Sequence, residues 1–364
     1  MNILLVRLRL IGDVVFTTPI IRALRRRFRD ARLTYLVESA AAPVLQYNPH
    51  RTSLIVVPRP RGIRRLVDDL AIARDLRRRQ FDLVIDLHGG PRAAWLTWAS
   101  GAPRRIGYAM PGRAWVYTEA IQRAADLSSR HSVENQWDLL KPLGIASPDP
   151  VDDPVEMGPD PAAVARVEHR LRALGVSPAH PVIVLHVSAG NPFRRWPESS
   201  FVALVAALVR RDPSRRVVLT SGPSDVPAAH RVAGESRRIL GAHGAAILDA
   251  GDFDLAELRA LTARAAVYIG GDSGPAHIAA TTQTPIVELL GPTLAGRSRP
   301  WRDPRWYSET VDAGDLPCRP CSQRQCVPGD FRCLTAILPE QVAAAVERAI
   351  RAGATTQRER ELQA

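Results

Sequence analysis

The chain has 364 residues, 46% hydrophobic and 24% charged. That is too apolar for a disordered chain and long for a single core, so two domains of roughly 150–200 residues are expected. Basic residues number 49, almost all Arg, against 37 acidic ones, a net charge of +12. This reflects either a general use of Arg for Lys or a partner bearing phosphates. Nucleic acid is disfavoured, because no basic tail stands apart and no Arg-rich run is interleaved with aromatics, which are only 5% of the chain.

The opening stretch, MNILLVRLRLIGDVV, is interrupted by Arg7, Arg9 and Asp13 and lacks a basic start and a small-residue cleavage site. It does not read as a signal peptide. No run approaches the ~18–20 apolar residues that span a bilayer, so a cytoplasmic location is expected. Residues 2–7 read as a buried strand, 17–28 as a helix with Pro19 in its first turn, 33–37 and 54–57 as strands, 66–79 as a helix and 82–87 as a strand. Such alternation implies a parallel sheet covered by helices on both faces. The Pro- and Asp-rich stretch 146–162 reads as a linker, dividing a domain of 1–155 from one of 156–364. A second series follows: helix 161–174, strand 181–186, helix 198–211, strand 216–220, helix 226–240, a short strand near 246–248, helix 254–264, strand 266–269, helix 275–281, strand 285–289 and a last helix over about 338–352. The fold class is therefore α/β, two Rossmann-like doubly wound domains facing a central cleft, with ligands beyond the carboxyl ends of the strands.

At the first strand end a dinucleotide site would need G-x-G-x-x-G, but only Gly12 is present, which argues against NAD. Asp13 is either a helix N-cap or a general base. In LHVSAGNPFRRWPESSF, Ser188, Ala189 and Gly190 form a small-residue turn that lets a ligand approach the backbone. Arg194 and Arg195 suit a diphosphate, or form a solvated basic loop. In YIGGDSGPAHIAA, Asp272, Ser273 and Gly274 precede a helix whose first N–H groups can seat an anion. Asp272 fits sugar or ribose hydroxyls, or a cap. His277 is a packing residue or a catalytic one. All four cysteines, Cys318, Cys321, Cys326 and Cys333, fall within sixteen residues. A structural metal, two local disulfides and free thiols all remain open.

Together these stretches resemble the heptosyltransferases, glycosyltransferases that build the inner core of lipopolysaccharide. The resemblance rests on ILLVRLRLIGDVVFTTPIIRALRRRF, DLVIDLHGGPRAAWLTWASGAPRRIGY, RRWPESSF, YIGGDSGPAHIAA and LLGPT, and covers nearly the whole chain. The segment CRPCSQRQC looks most like the second heptosyltransferase of the pathway. The resemblance implies the GT-B fold and inverting transfer of a heptose from ADP-heptose to an anionic lipid A/inner-core acceptor, at the cytosolic face of the inner membrane. It implies Asp13 as catalytic base, and Asp272, Ser273, Gly274 and His277 as the donor-binding turn; Ser188, Ala189, Gly190, Arg194 and Arg195, read from their own chemistry, are placed on the same donor side. Arg7, Gly12, His88 and Arg92 fall to the acceptor side. The basic position two before Trp196-Pro197 is usually Lys in the family and is Arg194 here. No cofactor is implied for catalysis, since no DxD-like pair sits at a strand end: Asp68-Asp69 and Asp152-Asp153 lie in a helix and the linker. The cysteine cluster is a candidate structural zinc site. Arg22, Arg25, Arg26 and Arg27, with Arg59, Arg61, Arg64 and Arg65, would hold the anionic acceptor near the membrane or form solvated helix faces.

Overall fold

The computed structural model describes residues 1–50, 52–58, 64–127 and 129–363. The chain divides into two compact units, Met1–Gly158 and Pro159–Ala364. Unit one contains strands β1 (Asn2–Val6), β2 (Arg32–Glu38), β3 (Thr52–Val57), β4 (Leu83–Asp86), β5 (Arg104–Tyr108) and β6 (Glu119–Ile121), in the spatial order 3-2-1-4-5-6. Every pairing is parallel. Unit two repeats the plan with β7 (Val182–His186), β8 (Arg216–Thr220), β9 (Ile247–Leu248), β10 (Val267–Gly271), β11 (Ile286–Leu290) and β12 (Ser308–Asp312), in the order 12-11-10-7-8-9. Its pairings are parallel too. Central strands such as NILLV and VIVLH are apolar runs because both sheet faces are covered by helices.

The sequence reading overlooks β5, β6 and β12, whose segments RRIGY, EAI and SETVD are polar or short. The reason is position: β6 and β12 are sheet edges whose side chains meet solvent, while β5 opens with two partly exposed arginines before its buried Ile106–Tyr108. Helices Pro91–Ala99 and Ser132–Trp137 were also not anticipated, and the final helix runs Pro339–Gln363, well past residue 352. A separate short helix, Ile11–Val15, precedes helix Thr18–Arg27. Among the described residues no helix is long and apolar enough to cross a membrane.

Several arginines read as a surface for the acceptor are structural ties. Arg22 and Arg26 both donate to the carbonyl of Asp152 at 3.0 Å, and Arg26 pairs with Asp153 at 2.6 Å. Arg25 donates to the carbonyls of Arg29 (2.7 Å) and Ala31 (2.8 Å). The Pro/Asp stretch is thus bound to unit one by its charge. Arg59 and Arg61 lie outside the described residues.

In unit two, Ile183, Leu185, Ile269, Val287 and Leu289 face the helices Glu198–Arg211 and Pro339–Gln363. Period-two alternation puts His186, Gly270 and Glu288 on the opposite face, in register across three adjacent strands. Glu288 is fully buried, and neither carboxyl oxygen has a hydrogen-bond partner among the described residues. A Cβ on Gly270 would come within 2.7 Å of the Tyr268 hydroxyl, so glycine is required there for the ring to fold over. Burial, and then the charge of Asp272, push the Glu288 carboxyl well above its usual range. The folded protein therefore keeps a proton that the unfolded chain releases once pH exceeds the ordinary carboxyl value. Stability falls as pH rises through that window. Replacing the acid by its neutral isostere, Glu288→Gln, should flatten the decline between pH 5 and 8 by roughly 1–3 kcal/mol in urea unfolding. Parallel pH profiles for the two proteins would show that Glu288 ionises freely in the fold.

Candidate functional site

In each sheet the chain leaves the first strand toward one edge and later returns to the other side of it. The switch lies between β1 and β4 in unit one and between β7 and β10 in unit two. Loops after these strands diverge and leave a crevice at their carboxyl ends. Most of the residues singled out from sequence lie at these two places; Arg92 and the four cysteines do not.

In unit one, Asp13 sits in the first turn of Ile11–Val15, whose N-cap is Leu10 with no side-chain cap bond. The N-cap reading of Asp13 therefore fails. Its carboxylate pairs with the Arg7 guanidinium, which also donates to the carbonyl of Leu87 at 2.6 Å and so ties the loop after β1 to the loop after β4. Gly12 lies in the same short helix. His88 follows β4, and burial, then the positive charges of Arg7 and Arg9, lower its pKa to about 4. It is neutral at physiological pH and can donate or accept a hydrogen bond. Beneath it, buried Asp86 accepts from the N–H groups of His88 and Gly89 (both 2.9 Å) and from the Tyr117 hydroxyl (2.7 Å). A Cβ on Gly107 would lie 2.2 Å from the Tyr117 ring, so only glycine admits it. Arg92 turns away from this group. It bonds Asp69 at 2.7 and 2.9 Å and Glu38 at 3.1 Å, a buried network joining helix Pro91–Ala99 to helix Arg64–Arg78 and to β2.

In unit two, the loop after β7 carries Ser188, Ala189, Gly190, Arg194 and Arg195, and the loop after β10 carries Asp272, Ser273 and Gly274. Arg194 joins them. Its Nη1 lies 2.9 Å from a carboxylate oxygen of Asp272 and 3.1 Å from that residue's carbonyl. Arg195 pairs with Asp225 at 2.8 Å and donates to the Ala189 carbonyl at 3.1 Å. The Ser188 hydroxyl donates to the same Asp225 carboxylate. His277, also buried, places Nε2 3.6 Å from Asp272. Burial raises the Asp272 carboxyl, but the adjacent His277 imidazole and the Arg194 charge outweigh it, and the group rests below its usual range. The helix after Ser273 is only Gly274–Ala279. Pro275 has no N–H and the N–H of Ala276 bonds Ser273, so anion contacts there would come from Ser273 and Gly274. A side chain at Gly190 would meet nothing within 4 Å, which leaves that turn open on one side.

Two residues of this group carry little sequence signal. Asp225, in GPSDVP, looks like an ordinary cap before helix Val226–Leu240, yet makes no side-chain cap bond and serves Ser188 and Arg195 instead. Gln323, inside the cysteine segment, accepts from Arg194 Nε at 2.7 Å. No disulfide joins the four cysteines in the structure. They line one cavity of about 520 Å³ together with Phe193 and Phe331. Among the described residues no three His, Cys, Asp or Glu side chains converge as metal ligands.

Known proteins share this architecture. The sequence pattern of glycosyltransferase family 9 (heptosyltransferase) matches residues 70–331. Lipopolysaccharide heptosyltransferase 3 of Escherichia coli K12 is 30% identical over 302 residues, 80% of this chain and 83% of that protein. That relative is a type 3 enzyme, so the likeness of the cysteine segment to the second heptosyltransferase does not sort the chain among subtypes. A family 9 glycosyltransferase from Veillonella parvula superposes with a TM-score of 0.80 at 22% identity, covering 96% of this chain and 97% of that one. E. coli heptosyltransferase WaaC with ADP superposes with a TM-score of 0.65 at 20% identity, covering 98% and 100%. The fold is the expected GT-B arrangement of two Rossmann-like sheets, and the chain belongs to glycosyltransferase family 9, the heptosyltransferases, as a glycosyltransferase.

Proposed function

We propose that this enzyme moves a heptose from ADP-heptose to a lipopolysaccharide inner-core acceptor, with inversion and without a catalytic metal. The observation that carries the reading is the switch point of the second sheet. There Ser188, Arg194, Arg195 and the Ser273–Gly274 turn gather around the buried carboxylates Asp225 and Asp272. Two guanidinium forks beside open backbone suit a diphosphate. An ionised Asp272 suits sugar or ribose hydroxyls as donors to it. The ADP in the WaaC structure of the same fold supports an adenine nucleotide.

Transfer breaks the bond between the anomeric carbon and the diphosphate oxygen, and the bonding pair leaves on the diphosphate. Arg194, Arg195 and the Ser273–Gly274 N–H groups stabilise that charge. The acceptor oxygen bonds to the anomeric carbon and its proton passes to Asp13. Arg7 holds Asp13 in place, and neutral His88 offers a hydrogen bond to an acceptor hydroxyl. Gly12 and Arg92 complete the acceptor side, Arg92 by anchoring the helix that follows His88. Action on an anionic lipid-linked acceptor at the cytosolic membrane face belongs to the same proposal. A candidate structural zinc at the four cysteines belongs to the same proposal, since thiolates suit that ion; the four line one cavity but no three of them converge as ligands among the described residues, so zinc would have to draw them together. No step of transfer runs through it. A second reading keeps fold and reaction but changes the donor or acceptor. It is favoured by Arg194, whose fork replaces the family's usual Lys point charge.

Calorimetry with ADP, UDP, GDP and NAD, without added metal, separates these readings. The proposal expects preference for ADP, lost by about tenfold or more when Ser273 and Gly274 are made bulky. Preference for UDP or GDP selects the second reading, and no nucleotide binding removes the donor-site assignment. Asp13→Ala should lower turnover by about 10²–10⁴-fold with ADP affinity unchanged; unchanged turnover would mean that Asp13 is not the base. Elemental analysis of purified protein should find about one zinc per chain, and a metal-free, equally heat-stable protein would end the zinc assignment.

A further inference from the structure

We propose that Gln323 is a positioning residue for the donor site: it holds the Arg194 guanidinium in place without neutralising it. The inference rests on the reading of the 188–195 and 272–274 loops as the diphosphate seat. Gln323 lies between Cys321 and Cys326, with φ at +56°, a left-handed conformation that a non-glycine residue keeps only when its surroundings compel it. Its contacts supply the compulsion. Oε1 accepts from Arg194 Nε at 2.7 Å and from Asn191 Nδ2 at 2.8 Å. The Asn191 side-chain oxygen, Oδ1, accepts from the N–H of Phe193 at 3.0 Å, so Asn191 must present its amide N–H to Gln323, and Gln323 must present its oxygen.

The segment bearing Gln323 is itself pinned to the same loops. Phe331 packs against Phe193 with ring centroids 5.5 Å apart. Arg319 donates to the carbonyl of Thr293, in the turn after β11, at 3.0 Å, and pairs with Asp312 at 3.1 Å. Arg194 is thus gripped from two sides, by Asp272 at Nη1 and by Gln323 at Nε. The two grips differ in kind. Asp272 is an anion, whereas an amide oxygen orients the guanidinium and leaves its charge available to a diphosphate. A carboxylate at position 323 could make the same hydrogen bond but would set a negative charge against the ligand's phosphates.

This separates a positioning role from a merely structural one. In full-length protein, Gln323→Glu should weaken ADP binding by about tenfold or more, with the deficit shrinking as ionic strength rises. Gln323→Ala should weaken it by about three- to tenfold. Neither should change the affinity for adenosine, which has no phosphates, and Gln323→Ala should cost nothing further in an Arg194→Ala background. Variants that bind ADP like the wild type would overturn the inference while leaving the donor-site reading intact. Equal losses for ADP and adenosine, with a lowered melting temperature, would reduce Gln323 to a structural prop. If the wild type itself fails to bind ADP, the donor-site reading falls and the inference falls with it.

Discussion

The structure depends on the handedness of its parallel crossovers. A strand–helix–strand connection within one sheet is right-handed almost without exception. A chain that builds β1, β2 and β3 outward and then returns to lay β4 on the far side of β1 must therefore change the face on which its helices lie. Loops at that point cannot close over each other, and the second sheet repeats the event between β7 and β10. Arg7, Asp13 and His88 in one unit, and Ser188, Arg194, Arg195, Asp272 and Ser273 in the other, all follow the carboxyl ends of these four strands. Within each unit, backbone topology, more than any local motif, makes them neighbours.

Charge is handled in the same way at both points. Asp13, Asp225 and Asp272 each meet a guanidinium: Arg7, Arg195 and Arg194. A buried carboxylate without a partner would be costly, and removing one member of such a pair more costly still. The pairs also fix where the two guanidinium groups sit. On the proposed donor role, forks held by carboxylates at fixed positions would lose little freedom on binding a diphosphate. Glu288 is the exception: burial and the charge of Asp272 outweigh the attraction of Arg194, and its carboxyl is pushed toward holding its proton.

The strongly basic composition has a divided explanation. Part of it is internal: Arg22, Arg25 and Arg26 fasten backbone carbonyls and the acidic stretch before Gly158. Arg92 closes a buried network with Asp69 and Glu38, and Arg215 pairs with Glu347 at 2.7 Å. An excess of arginine is thus compatible with a fold that uses the long forked side chain as a crosslink, before any partner is considered.

The sequence by itself determined the alternation of apolar runs and amphipathic segments, hence two parallel sheets, and the polar turns at strand ends where ligands belong. Those features are local, and a run such as VIVLH or a turn such as GGDSGP carries its meaning within a few residues. Edge strands were not legible, because SETVD or EAI has no apolar run to mark it. Only the tertiary structure decided which charges meet. The partnership of Ser188 and Arg195 with Asp225 spans about thirty or more residues of chain, and that of Arg194 with Gln323 spans 129. Pairing at such separations is set by the order of strands in the sheet, and nothing in the local sequence of Asp225 or Gln323 records it. Glu288 shows the same limit from the other side: its sequence context, IVELL, marks a strand, but only the packed sheet shows that its carboxyl is sealed from water opposite a glycine.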